Sequence, residues 1–303
     1  MAEHVHTPAE QAPPAHILAS FQVPSATPVK LESWWSDGWR CDRAVISHAE
    51  DPARAAWIAG IMNKVRPAGV SVARPIFSSD GRFSVSGWRA RSFLSGHPAP
   101  RFDEMAAASL RLNEALRGEQ RPAFLYPPQV AGEWGEVQIF AAADQAAFDD
   151  DPTRWVTPVL DPQSVPREDV AWALAKAAQL AELREELTEP DQLVHADVAG
   201  TIIFDGAADP IITDFVPAWH PAGWSAAVLI VDTMAWGNAP DALLDRWAHI
   251  PDFLQLVLRA VLYRLFVHVM LPSSTPAAWQ GLARVSDVVA AKVEEHATDV
   301  TRG

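Results

Sequence analysis

Cysteine and tyrosine are nearly missing from this chain of 303 residues, which has one of the first, Cys41, and two of the second. A lone cysteine closes no internal disulfide and builds no thiolate metal cluster, so a reducing, cytoplasmic setting is the expectation. Cations are short as well: 24 Lys and Arg stand against 38 Asp and Glu, a formal net charge of -14. A surface of that sign has little with which to displace counterions from nucleic acid or an anionic bilayer, which argues against both as partners. Long apolar runs are also lacking. The best two, 226–231 and 257–270, are too short or are interrupted by Arg259, Arg264 and His268, so no membrane span is expected. Residues 1–14 lack the basic start and apolar stretch of a secretory signal.

What remains is globular material, because 49% apolar and 20% charged residues exclude wholesale disorder. The polar, proline-bearing stretch 1–15 reads as a disordered arm. Strand-like alternation follows at 40–47, 70–76 and 82–90, with a helix over 51–64 between the first two. That helix opens on Asp51-Pro52, an N-cap followed by proline at the first helical position. Ser95-Gly96-His97-Pro98 breaks the pattern. Beyond Phe102 the period is mainly helical, with helices expected over 103–116, 145–149, 166–187, 224–236, 241–247, 251–270 and 276–297. The chain thus divides into an arm (1–15), a sheet-bearing part (16–95) and a helical part (96–303).

One stretch inside the helical part cannot be helix. It runs His195-Ala196-Asp197-Val198-Ala199-Gly200-Thr201-Ile202-Ile203-Phe204, then Asp205-Gly206, then Ile211-Ile212-Thr213-Asp214. The two β-branched runs joined by a turn read as a hairpin. A hairpin brings Asp197, before its first strand, and Asp214, after its second, to one end. Phosphoryl transfer uses such a pair: one carboxylate orients and deprotonates the attacking hydroxyl, and another holds the magnesium that bridges the phosphates. Taken alone, His195 and Asp197 equally describe a turn that caps backbone groups, and Thr201 a residue that starts a strand.

The pattern His-x-Asp, hairpin, Asp resembles the catalytic loop and metal motif of the aminoglycoside phosphotransferase and choline-kinase-like family, with some likeness to an actinobacterial group within it. The resemblance implies an α+β, bilobal protein-kinase-like fold: a small antiparallel-sheet lobe with one helix, then a larger helical lobe carrying the hairpin. It gives His195 a structural role, Asp197 the catalytic-base role and Asp214 the metal-ligand role, with ATP and Mg2+ as the implied cofactors. It also makes Asp232, in the apolar run 224–236, a brace for the catalytic loop.

The departures matter as much as the matches. Where the family carries asparagine as second metal ligand this chain has Thr201, a shorter and poorer ligand. Where it carries the phosphate-pairing lysine there is Ser47, and the acidic partner on the next helix is replaced by alanines and Arg54. The phosphate-covering loop reads Glu32-Ser33-Trp34-Trp35-Ser36-Asp37-Gly38, bulky where backbone amides need room. Lys30, Arg40 and Arg43 are the cations on neighbouring strands that could stand in for the lysine. Losing one positioned charge from a phosphoryl-transfer site costs about a hundredfold in rate. The sequence therefore reads first as an inactive, pseudokinase-type member that binds a small molecule or a protein partner. The alternatives are an active ATP-dependent phosphotransferase for a small hydroxyl- or amine-bearing molecule, and a scaffold without a nucleotide site.

Overall fold

The computed structural model describes residues 11–126, 134–160 and 166–302, with side chains to Thr298. The arm expected over 1–15 lies, up to residue 10, outside the described residues. Along the chain come α1 (Ala15–Ser20), β1 (Val29–Lys30), β2 (Trp39–Cys41), β3 (Ala44–His48), α2 (Pro52–Lys64), β4 (Ser71–Val72), β5 (Pro75–Ile76), β6 (Ser84–Val85), β7 (Trp88–Ser92) and α3 (Phe102–Ala115). Next are α4 (Glu136–Phe148), α5 (Thr153–Val156), α6 (Glu168–Ala181), β8 (Gln192–His195), α7 (Val198–Thr201), β9 (Ile202–Ile203), β10 (Ile211–Ile212) and β11 (Pro217–His220). The chain closes with α8 (Trp224–Trp236), α9 (Ala242–Arg246), α10 (Phe253–Met270) and α11 (Pro276–Arg302).

The chain packs as two compact units, residues 1–117 with 197–217, and residues 118–196 with 218–303. The boundary drawn from the sequence at 95–96 puts 197–217 with the helices. The packing groups it with the sheet-bearing unit, because β10 pairs in parallel with β4 and antiparallel with β9. Gly96 allows the close approach: a Cβ there would meet the Phe204 carbonyl oxygen at 2.9 Å. A composition change cannot reveal a return of the chain over a hundred residues later.

The first unit centres on an antiparallel sheet in the order β1-β2-β3-β7-β5, with β6 also on β7. Strand alternation sorts its two faces. Ala44 and Ile46 of β3 and Trp88 and Ala90 of β7 join Ile17, Leu18 and Phe21 in one apolar cluster. Val45 points the other way and packs with Trp35, Ala73, Ile203 and Ile211. The β3–β7 register opposes Val45 to Arg91 and Ser47 to Arg89, so these four share the second face. Helix α2 starts as its sequence dictates, with the Asp51 carboxylate accepting from the amides of Ala53 and Arg54 at 2.9 and 3.0 Å.

The second unit is helical apart from β8 and β11, and α10 is its core. That helix is long and apolar enough to cross a bilayer by length and composition, but 83% of its apolar window is buried inside the protein. Three of its polar side chains reach partners elsewhere in the unit. Arg264 pairs with Asp232 of α8, His268 with Asp169 of α6, and Arg259 bonds the Gln255 side chain and the Glu185 carbonyl.

Candidate functional site

The hairpin forms. Ile202 opposes Ile212 and Ile203 opposes Ile211, and the Thr213 amide donates to the Thr201 carbonyl at 2.9 Å. Asp197 does not enter the strand directly. It caps the single-turn helix α7, its carboxylate accepting from the Gly200 amide at 3.0 Å. The Thr201 hydroxyl donates to the Asp197 carbonyl. In the second unit His195 is fully buried, and its carbonyl accepts from the Ser225 hydroxyl of α8 at 2.6 Å.

Asp214 is buried and heavily bonded. Arg89 grips it with two nitrogens, one at 3.1 Å from Oδ1, and Arg91 Nη1 lies 2.7 Å from Oδ2. The Ser36 hydroxyl donates to Oδ2 at 2.8 Å, and the Phe215 amide donates to Oδ1 at 2.8 Å. Burial pushes the Asp214 carboxyl up, but Arg89 and Arg91 more than offset this and hold it far below the usual carboxylate range. Burial pulls the Arg91 guanidinium down to about 10, against the opposing pull of Asp214. Ser36 reaches its position only by adopting the left-handed region, with φ of 53°, an uncommon conformation for a non-glycine residue.

The loop around Trp34 and Trp35 holds this cluster in place. Trp35 is buried, packs with its ring tilted by 31° against Phe93 at 5.5 Å between centroids, and accepts at its carbonyl from Arg91 Nη2 at 2.8 Å. The Trp34 carbonyl accepts from the Thr213 hydroxyl. Gly38 is needed behind them, since a Cβ there would meet Val45 Cγ1 at 2.8 Å.

Sequence reading missed Arg89 and Arg91, and it named Lys30, Arg40 and Arg43 as stand-in cations. Lys30 donates to the Asp37 carbonyl and lies over the Trp39 ring. Arg40 lies 4.1 Å over the Phe93 ring and bonds the Asp42 carbonyl. Arg89, not either of these, sits against Ser47, with Nε 3.3 Å from its hydroxyl. The available signal was the alternation Trp88-Arg89-Ala90-Arg91: two apolar side chains on one face of a strand force two guanidiniums onto the other, where they need an acid.

The magnesium ligand set does not fit the residues present. Both Asp214 oxygens already accept from cationic or neutral donors, and Thr201 directs its hydroxyl proton at a backbone carbonyl. Among the described residues, no group of three or more His, Cys, Asp and Glu could hold a metal ion. In the second unit, Asp232 of α8 forms a two-pronged ion pair with Arg264, and Ser225 of the same helix bonds the His195 carbonyl.

No protein-family model and no curated protein matches this chain. Solved structures do. A microcompartment-associated aminopropanol kinase aligns at 14% identity over 94% of this chain and 97% of its own, with a TM-score of 0.55. A choline/ethanolamine kinase family protein from Mesorhizobium loti aligns at 14% identity over 92% and 94%, with a TM-score of 0.52. An aminoglycoside phosphotransferase, APH(4)-Ia, in complex with ADP and hygromycin B aligns at 14% identity over 91% and 97%, with a TM-score of 0.51. The chain therefore has the α+β, protein-kinase-like fold of the aminoglycoside phosphotransferases and choline kinases.

Proposed function

We propose that this protein keeps the phosphotransferase fold but not phosphoryl transfer, and acts by binding a small ligand or a partner, as a pseudokinase. The observation that carries this reading is the occupation of Asp214 by Arg89, Arg91 and Ser36. A carboxylate paired to two guanidiniums presents its lone pairs to N–H groups, and a magnesium ion would have to displace both cations to be bound. The serine at position 47 and the threonine at 201 support the same reading.

A second reading, an active ATP-dependent phosphotransferase, is favoured by one feature. Arg89 lies beside Ser47, where the family's lysine would stand, so a cation is present near that position. The two readings separate on ADP formation from Mg-ATP, measured alone and with the acceptors after which the structural neighbours are named: choline, ethanolamine, aminopropanol and hygromycin B. The pseudokinase reading expects no ADP above the protein-free rate. Saturable ADP formation that disappears in Asp197→Ala would establish the second reading instead.

A further inference from the structure

One sheet face of the first unit is covered by a side chain of the loop 32–38. Ser47 and Arg89 lie on the face of β3 and β7 that also carries Val45. Trp35, at 1% exposure, packs there with Val45, Ala73 and, from the hairpin, Ile203 and Ile211, and its ring meets that of Phe93. Strand β3 belongs to the larger sheet, and β9 and β10 to the smaller. The indole thus fills the apolar space where the two sheets of this unit meet.

The loop that carries it is otherwise unlike core. Of residues 32–38 only Trp35 and Gly38 are buried, and Glu32, Ser33, Ser36 and Asp37 are exposed. Ser36 and Asp37 both take the left-handed region, with φ of 53° and 48°, a conformation that costs a non-glycine residue free energy and lasts only where other contacts hold it. Three of those contacts come from Asp214 and its surroundings: the Ser36 hydroxyl donates to Asp214 itself, and the Trp34 and Trp35 carbonyls accept from Thr213 and Arg91. An exposed, strained loop tied down at three points around one buried ring is a strap with a plug. Indole is a planar five-membered ring fused to a six-membered one, as a purine is. The space that holds Trp35 therefore has the size and flatness that a purine base needs.

We propose that loop 32–38 is an autoinhibitory strap in which Trp35 stands in for a purine base, and that a purine-bearing ligand occupies this space only when the strap lifts. The same loop is the one that the sequence resemblance sets over a nucleotide's phosphates, so the closed strap and a nucleotide exclude each other. The proposal goes beyond the reading of the protein as one that does not turn over ATP: it names what fills the space, and it holds with or without turnover. The ties to Asp214, Thr213 and Arg91 also set what opens the strap, since weakening them frees the loop without removing the indole.

The test is calorimetric titration of the full chain with adenosine, in EDTA so that no metal contributes, repeated with ATP. No saturable adenosine binding below about 1 mM is expected for the wild type, binding about a hundredfold tighter than that limit for Trp35→Ala, and a smaller gain, about tenfold, for Ser36→Ala. A folded Trp35→Ala that binds neither adenosine nor ATP overturns the proposal. So does wild-type binding that Trp35→Ala leaves unchanged or weakens, because the indole is then a wall of the site or a contact within it. Should Trp35→Ala not fold, Ser36→Ala decides: a gain in adenosine affinity supports the strap, and no gain overturns it. ADP formation from Mg-ATP by the wild type would remove the no-turnover reading and leave these EDTA titrations to decide the strap, and a failed titration leaves the no-turnover reading untouched.

Discussion

Each unit buries an aspartate against arginine, and the two sites differ in what is gathered at the carboxylate. In the helical unit Asp232 takes two parallel N–H···O contacts from Arg264, between α8 and α10. In the sheet-bearing unit Asp214 is shared by Arg89 and Arg91, with Ser36 and the Phe215 amide adding to its load. The Asp232–Arg264 contact ties one helix to another. The Asp214 cluster instead gathers two guanidiniums, which also reach Ser47 and the Trp35 carbonyl, at one carboxylate. The difference teaches that the carboxylate of Asp214 is saturated from within the protein, by two guanidiniums, a hydroxyl and an amide.

That comparison can be broken by mutation. The largest effect is expected for Asp214→Ala, which leaves buried Arg91 and half-buried Arg89 without their shared carboxylate and should cost about 3–5 kcal/mol in urea unfolding. Arg264→Met removes the two-pronged partner of a buried carboxylate and should cost about 3 kcal/mol on the same assay. Arg89→Met leaves Asp214 paired with Arg91, and Arg89 is the more exposed of the two, so about 1 kcal/mol or less is expected. If Arg89→Met costs as much as Arg264→Met, the second arginine is structural and the comparison fails.

Acid sharpens the same contrast. Asp169 is held down to about 2, first by Arg167 and also by His268, against the opposing effect of burial. Its folded-state affinity for protons is below the unfolded value near 3.9, so its contribution to stability is full above about pH 4 and is lost as pH falls through about 2. Asp214 lies further below the usual range, so its contribution persists to lower pH than that of Asp169. Carboxyl carbon NMR between pH 5 and pH 2 should show Asp169 titrating while Asp214 stays ionised. Asp214 titrating at the pH of an exposed aspartate would show that the arginine cluster does not form.

Much of the fold was legible because local chemistry decided it. The apolar run 224–236 is α8 with the same limits, and Asp51 caps α2 as its position before Pro52 requires. The stretch read as one strand over 40–47 is two, because Asp42 takes the left-handed region with φ of 54° and turns the chain between β2 and β3. Ser86 and Gly87, both at positive φ, likewise split 82–90 into β6 and β7. Helix α4 starts at Glu136, well before the expected 145, because its alanine-rich middle blurs the apolar periodicity that marks a helix face. Of the cluster around Asp214, the acid itself stood out in the sequence and the arginines did not: Arg89 meets Asp214 across 125 residues, and charges on a strand ordinarily face solvent.

The central claim is that Asp214 is held by guanidinium and is not a metal ligand, and electron paramagnetic resonance of Mn2+ with ATP tests it most directly. Adding the protein should leave the Mn-ATP spectrum as it is in buffer, for the wild type and for Asp214→Asn alike. A saturable protein-bound Mn2+ signal in the wild type that Asp214→Asn abolishes would contradict it.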